Sequence, residues 1–175
     1  MAERKPRPKV CELPPAQGCY DLEFTVIPQN RPPAVDAGFW IQATAAGEIC
    51  GCDDTGSISI SAEGLIPLGV YTVWFATDRG LRPAAPLDAN YSADGFDPNR
   101  LVVNSNGILN YYSAPLDYNP LSGIPLPGGF RAIILRVIIG FHSNRLTNGT
   151  VPGEFNVNFF EQLSADLYFR DEEAE

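Results

Sequence analysis

Alternation of apolar and polar residues with a period of two runs along most of this chain, and no segment shows the period of an amphipathic helix. The clearest run lies near the N-terminus, where Tyr20, Leu22, Phe24 and Val26 alternate with polar residues. A second run, residues 70–75, is dense in the β-branched and aromatic side chains that suit a strand. Because period two places successive side chains on opposite faces of a strand, the sequence predicts an all-β domain.

Composition narrows the architecture. The chain has 175 residues, of which 45% are hydrophobic, with 16 glycines and 16 prolines. This is too apolar for a disordered chain and rich enough in turn formers for many short strands. We therefore expect an antiparallel β-sandwich of about 8–10 strands, of immunoglobulin-like, superoxide-dismutase-like or jelly-roll type. No apolar stretch approaches the roughly 20 residues of a membrane-spanning helix.

Charge and proline divide the chain into three parts. Residues 1–17 form a proline-rich basic arm, residues 18–170 a single sandwich domain, and residues 171–175 an acidic tail. The net charge of the whole chain is −9. The first ten residues carry a net charge of +3, so the other residues together carry −12. A body of that charge repels polyanions, and nucleic acid is therefore not expected as a partner.

Several segments have specific predictions. Residues 39–44 and 57–61 are predicted strands, and the Asn-Gly step within residues 104–107 predicts a hairpin turn. Residues 155–159 and 163–169 alternate and predict two further strands. Residues 77–100 and 115–129 are proline-rich without periodicity, and are expected to form two long loops.

Residues 130–141 predict one long strand that is apolar on both faces. A sandwich normally exposes one face of each sheet to water, so the outer face of this strand must be covered. Two explanations stay open: the proline-rich loops fold over it, or a subunit or partner packs there. In the second case the interface residues are Phe130, Ile134, Arg136 and Ile138.

The four cysteines are Cys11, Cys19, Cys50 and Cys52. Two disulfides are favoured, and they would pin the N-terminal arm to the loop around Cys50; reduced thiols and a thiolate metal site are the alternatives. The N-terminal charges are not followed by an apolar stretch, so they do not form an intact secretory signal. Disulfides favour an exported protein whose signal has been removed, and a cytoplasmic protein is the alternative.

Two loops could bind a ligand. Residues 77–100 gather oxygen donors of the kind that calcium prefers: Asp88, Asn90, Asp94, Asp97 and Asn99. Polar turn chemistry explains the same residues without an ion. Residues 142–153 offer His142, Asn144 and Arg145. Scattered aromatic residues could stack on sugars, although such residues usually belong to a core or a sheet surface: Tyr91, Phe96, Tyr111, Tyr112 and Tyr118.

Catalytic chemistry is sparsely supplied. His142 is the only histidine, and a catalytic zinc or copper centre usually takes two or three imidazoles. Ser143 follows directly, and strand alternation would point the two side chains apart, which argues against a hydrolase. The sequence has no lysine after Lys9, so the body offers no Schiff-base residue. His142 is expected to be a hydrogen-bonded structural residue, and no catalytic residue, cofactor or histidine-based metal site is predicted.

Four motifs carry a family resemblance: GLIP at 64–67, YTVW at 71–74, HSNRLTNGTVPG at 142–153 and FEQL at 160–163. The chain resembles a group of uncharacterised prokaryotic β-sandwich proteins. The GLIP corner is also similar to that of copper-zinc superoxide dismutase and chordin-like sandwiches, in which a strand with metal-binding histidines follows. Here that strand holds YTVW, which cannot bind copper. The resemblance therefore implies a sandwich and carries over no active site.

These observations lead to two functional hypotheses. The first is a non-catalytic structural or protein-interaction module, oligomeric or part of a larger assembly. The second is a carbohydrate- or calcium-dependent ligand-binding module that uses residues 77–100 and 142–153. The expected partner is another protein or a second copy of the chain, and the ligand is not identified by the sequence.

Overall fold

The alternating segments become strands of two stacked sheets in the computed structural model, which describes residues 17–85 and 97–167. The strands are β1 (Gly18–Glu23), β2 (Thr25–Val26), β3 (Thr44–Cys52), β4 (Thr55–Glu63), β5 (Val70–Thr77), β6 (Gly80–Pro83), β7 (Leu101–Val102), β8 (Leu109–Leu116), β9 (Ile124–Pro125), β10 (Arg131–Ala132), β11 (Ile134–His142) and β12 (Phe159–Asp166). The helix α1 (Ala37–Ile41) and two 3₁₀ turns, Pro28–Asn30 and Pro127–Gly129, are short. The predicted all-β class is confirmed. In the described part of the chain, no helix is long and apolar enough to cross a membrane.

Every strand pairing is antiparallel. Sheet A has the order β1-β3-β4-β8, and sheet B has the order β2-β12-β11-β5-β6, with β7 also pairing with β5. The short strands β9 and β10 pair with each other. The chain passes from sheet A to sheet B at Phe24, between β1, which pairs with β3, and β2, which pairs with β12. The run that the sequence predicts as one strand is therefore two, one in each sheet.

The core lies between the sheets and is closed at one end by α1. Leu22 and Ile49 of sheet A share one buried cluster with Tyr71 and Val137 of sheet B. Trp40 of α1 is fully buried beside them. Its Nε1 donates to the carbonyl of Ile27 at 2.9 Å, and its ring meets Phe141 edge-on at 6.2 Å between centroids.

The predicted strand at residues 39–44 is wrong, because its first half is α1. The carboxylate of Asp36 accepts a hydrogen bond from the backbone N–H of Gly38 at 2.8 Å and caps the helix. One helical turn buries Trp40 and leaves Phe39 and Ile41 on the surface. The strand β3 begins only at Thr44 and extends through Cys52, a region that the sequence suggested was a connection.

The long predicted strand is interrupted. Residues 130–141 form β10 and β11 with a break at Ile133, and the register of β11 against β5 shifts between Ile134 and Arg136. Because of this irregularity, Ile134 and Val137 both point into the core, while Leu135 is exposed. Strict alternation along one strand would place Ile134 and Val137 on opposite faces. The register shift places both on the core face.

The predicted hairpin at residues 104–107 and the predicted strand at residues 155–159 are also corrected. Residues 104–107 do form a tight turn, with Gly107 at φ 73° and the Asn104 side chain accepting from the backbone N–H groups of Asn106 and Ile108. The turn joins β7 of sheet B to β8 of sheet A, so it is not a hairpin. Residues 155–158 precede β12 as turns, and one strand stands where two were predicted.

The outer face of sheet B is covered by the chain itself. Trp74, Ala76 and Ile138 form a second buried cluster with Phe159, and Leu81 packs against it. A Cβ at Gly140 would clash with the ring of Phe159, so that ring occupies the space which a side chain at residue 140 would fill. Among the described residues, those that cover this face belong to β6 and to the start of β12.

Candidate functional site

A buried polar cluster lies on the outer side and at the edge of sheet B, around the only histidine. Its members come from β5, the end of β11 and the segment after residue 96: Thr72, Trp74, Asp97, Asn99 and His142. Antiparallel register places Thr72 opposite Gly140 and Val70 opposite His142. The side chains of residues 72 and 142 thus share one face, and the missing side chain at residue 140 leaves that face open to the ring of Phe159.

His142 is held by a chain of hydrogen bonds. Its Nε2 lies 2.7 Å from the hydroxyl of Thr72, and that hydroxyl also accepts from Nε1 of Trp74 at 2.5 Å. The ring of Phe159 lies against the imidazole with 5.2 Å between centroids. His142 is only 1% exposed.

Burial lowers the pKa of His142 to about 4. The Asp97 carboxylate and a hydrogen bond with the Leu146 backbone act in the opposite direction, while Arg100 adds to the lowering. Burial dominates because it removes the charged imidazolium from water. His142 is therefore neutral at pH 7, with its Nε2 already engaged. It is a buried residue that is hydrogen-bonded within the chain.

Asn99 completes an edge of sheet B. On this side of β5, β6 pairs with Trp74–Thr77 and β7 with Val70 and Tyr71. Between them, the N–H of Val73 donates to Oδ1 of Asn99 at 3.3 Å. The Nδ2 group of Asn99 is buried and has no hydrogen-bond partner among the residues that the structure describes.

Asp97 joins two loops. One carboxylate oxygen accepts from the backbone N–H of Asn99 at 2.9 Å, and the other accepts from the backbone N–H of Gly149 at 3.1 Å. Of the calcium candidates, Asp97 and Asn99 are described, and their oxygens serve the chain's own backbone. Asp88, Asn90 and Asp94 lie outside the described residues. The cluster therefore acts as a clamp that holds residues 97–100 and 142–149 against β5.

The second predicted ligand group is not assembled. His142 is buried, whereas Asn144 and Arg145 are exposed. The side chain of Asn144 accepts from the N–H of Leu146 at 3.1 Å, and Arg145 donates to the carbonyl of Leu68 at 3.0 Å. Both contacts stabilise the loop conformation, and the three residues do not face one common space.

The four predicted interface residues do not share a surface. Ile134 lies in the core between the sheets, and Ile138 lies in the covered cluster on the outer side. Arg136 donates to Glu161 at 3.0 Å within the chain. Phe130 is exposed, with the guanidinium of Arg79 5.3 Å from its ring centre. As a group, these residues cannot form the interface, because two of them are enclosed by the chain itself.

The cysteine prediction is confirmed in part. Cys19 and Cys50 are directly opposite each other in register on β1 and β3 and form a disulfide. Cys52 is disulfide-bonded as well, and Cys11 lies outside the described residues. Glu48 is close to the first bridge, and these three side chains are the one group of potential metal ligands within the described residues. Two of its members are joined as a disulfide, so they cannot act as thiolate ligands.

The aromatic residues considered for sugar stacking are largely internal. Tyr111 and Tyr118 are buried in the core. Tyr112 is 72% exposed on the outer face of sheet A. Tyr91 and Phe96 lie outside the described residues. A row of stacking rings is therefore not formed by the described members of the set.

Sequence reasoning missed a concentration of exposed apolar side chains. Of the twelve large apolar side chains that are exposed in residues 17–85 and 97–167, nine lie on segments at one end of the sandwich, where β5 begins and β11 ends. We call this surface the apolar end: Phe39, Ile41, Leu68, Val102, Ile108, Leu146, Val151, Phe155 and Val157.

Contacts between connections assemble the apolar end. The N–H of Leu68 donates to the carbonyl of Asn104 at 3.3 Å, and that of Leu65 to the carbonyl of Gly107 at 3.1 Å. The hydrogen bond from Arg145 to the carbonyl of Leu68 adds the segment after β11. The signal in the sequence was the presence of large apolar residues within turn-rich connections, but proximity depends on the fold.

Comparison with known proteins assigns no family: no protein-family model matches the chain, and no curated protein is similar to it in sequence.

Proposed function

We propose that this chain is a non-catalytic protein-interaction module that associates through its apolar end, with a second copy of the chain as the partner. The observation that carries this proposal is the concentration of nine exposed large apolar side chains on neighbouring connections. Single exposed apolar residues are common on soluble proteins, whereas contiguous patches usually mark interaction sites. Covering such a patch removes apolar area from water and favours association.

Charge favours the same surface for self-association. The strands of sheet A contain four acidic residues and no lysine or arginine, so two copies repel each other across that sheet. The apolar end carries both signs, because Arg145 and Arg100 lie on the same group of segments as Glu154 and Asp36. Repulsion between two copies is therefore weaker end to end than across sheet A.

The non-catalytic part of the proposal rests on His142. A general base must reach its substrate and hold a free lone pair. The imidazole is 1% exposed, and its Nε2 is bonded to Thr72. The hydroxyl of the neighbouring Ser143 donates to the carbonyl of Val157 at 3.4 Å. Asp97 and Asn99 likewise serve the backbone, which favours an interaction module over a module that binds a ligand in these loops.

Size-exclusion chromatography with light scattering tests the proposal. The wild-type chain should show a mass above 19.0 kDa that rises with concentration. Phe39→Asp should reduce association at least tenfold, because it puts a charge on the apolar end. Phe130→Asp is the matched control, since Phe39 and Phe130 are both 59% exposed and Phe130 lies elsewhere.

A second pair of variants repeats the test with leucines in place of aromatic residues. Leu146→Asp should weaken association, and Leu135→Asp should not; the two leucines are 61% and 51% exposed. Circular dichroism on all four variants verifies that each is folded. A wild-type protein that stays monomeric at every concentration, or equal effects within each pair, would refute the proposal.

A further inference from the structure

The outward face of sheet A is acidic. Asp21 and Glu23 flank the buried Leu22 on β1, and Glu48 and Glu63 lie next to buried residues of β3 and β4. Alternation therefore directs all four carboxylates outward. Register places Asp21 directly opposite Glu48. Like charges in that position repel, so a cationic group bound across this face would stabilise it.

The sequence holds a cationic segment immediately before this sheet. Residues 1–17 precede β1 and contain Arg4, Lys5, Arg7 and Lys9, whereas the four strands of sheet A contain no lysine or arginine. The two charge sets are therefore complementary and belong to adjoining parts of the chain.

The cysteines independently link the N-terminal segment to sheet A. Cys52 is disulfide-bonded, and the other two described cysteines, Cys19 and Cys50, are bonded to each other. Cys11 is the only other cysteine of the sequence. Within a single chain, it is the one residue that can pair with Cys52. Cys52 ends β3 and follows Gly51, which pairs with Gly18 at the start of β1.

We propose that residues 1–17 dock on the outward face of sheet A of the same chain, fastened by a Cys11–Cys52 disulfide, with the basic residues beside Asp21, Glu23 and Glu48. Forming this bond oxidises two thiols and passes two electrons and two protons to a disulfide oxidant such as oxidised glutathione. The docked segment shields the acidic face and leaves the apolar end free. The proposal is independent of self-association.

The distances permit this arrangement. Glu48 lies four residues from Cys52 along β3, which is about 13 Å at strand spacing. Lys9 and Arg4 lie two and seven residues from Cys11, so an extended chain carries them roughly 7 to 24 Å from the bridge. Glu48 and its opposite residue Asp21 fall within that range, and electrostatic attraction acts over about 8 Å at physiological ionic strength.

Carbodiimide cross-linking tests this proposal cleanly, because Lys5 and Lys9 are the only lysines of the chain. The reagent joins an amine to a carboxylate in direct contact with it, so every lysine cross-link reports the position of the N-terminal segment. Oxidised full-length protein should give intramolecular links from these lysines to Asp21, Glu23 or Glu48. A mixture of isotopically labelled and unlabelled protein separates links within one chain from links between chains.

Matched variants and added salt test whether the cross-links depend on the acidic residues of sheet A. Asp21→Asn with Glu48→Gln should reduce the yield of these links at least threefold, while Asp78→Asn, on the turn between β5 and β6, should leave it unchanged. Sodium chloride at 1 M should reduce the yield as well, by screening. Links mainly to Asp171, Glu172, Glu173 or Glu175, links mainly between chains, or a Cys11 thiol that alkylates in the oxidised protein would each overturn the proposal.

Discussion

The hydroxyl of Thr72 favours one tautomer of His142. Trp74 Nε1 can only donate, so Thr72 Oγ1 accepts from it at 2.5 Å, and its own hydrogen is available to His142 Nε2, 2.7 Å away. In that arrangement Nε2 is the acceptor and the ring hydrogen is on Nδ1. The bond with the Leu146 backbone raises the pKa of the ring, as a carbonyl that accepts from Nδ1 would do.

Stability should fall with acid because of His142. Its pKa is about 4 in the folded chain and 6.5 in the unfolded one. Between these values the unfolded chain binds the additional proton, so the free energy of unfolding decreases as pH falls. Lowering the pH from 7 to 5 should cost about 2 kcal/mol. Urea denaturation at pH 5, 6 and 7 measures this change.

The non-titrating variant His142→Gln is the control for the pH experiment. It should lose most of the pH dependence between pH 5 and 7, where carboxyl groups with ordinary pKa values are already ionised. Wild-type stability that is flat or higher at pH 5 would contradict the assignment of a buried, neutral imidazole.

Removing the hydroxyl of Thr72 should destabilise the fold. Thr72→Val keeps the shape but leaves Trp74 Nε1 and His142 Nε2 buried without partners, which should cost about 1–3 kcal/mol. Thr72→Ser keeps the hydroxyl and should recover most of that loss. Equilibrium unfolding at pH 7 gives both values, and equal stability of the two variants would show that the hydroxyl does not bridge these groups.

A methyl group at residue 140 should clash with Phe159. The Cβ of Gly140→Ala would overlap a buried ring, so overpacking should cost about 1–3 kcal/mol. Phe159→Leu makes room while losing ring contacts, so the double variant should lose less stability than the two single variants together. A double-mutant cycle measures this coupling, and additive losses would place the ring away from Gly140.

The Cys19–Cys50 disulfide should contribute measurably to stability. It closes a segment with a sequence separation of 31, and loop-closure entropy for that length gives about 3–4 kcal/mol. Unfolding of the wild type and of Cys19→Ser with Cys50→Ser yields the difference. Non-reducing peptide mapping should show the two cysteines linked in the wild type, and a Cys19–Cys52 linkage would contradict the register of β1 and β3.

The sequence predicts those elements in which one face is apolar and the other polar. The segment that became β1 was identified in this way, whereas β5, which is buried on both faces, was identified by its dense β-branched and aromatic residues. Residues 130–141 are apolar on both faces, so the sequence does not show which residues face the core. It therefore could not reveal the register shift between Ile134 and Arg136. Residues 39–44 are too few to distinguish one helical turn from a strand, and the cap at Asp36 decided the outcome.

The site was less predictable than the fold. The expectation that the lone histidine is hydrogen-bonded within the fold agrees with its contact to Thr72. Its partners Thr72, Asp97 and Asn99 are up to 70 residues away in sequence, so only the pairing of β5 with β11 and the course of residues 97–100 bring them together. The apolar end has the same origin, because Phe39, Leu68 and Leu146 lie on three separate connections.

Hydrogen exchange measured on wild-type protein at two concentrations tests the central claim most directly, because it locates the associating surface without any substitution. Raising the concentration a hundredfold should slow exchange in residues 65–69, 102–108 and 143–151, while residues 131–136 exchange at an unchanged rate. Unchanged exchange throughout, or slowing confined to residues outside the apolar end, would contradict association through that surface.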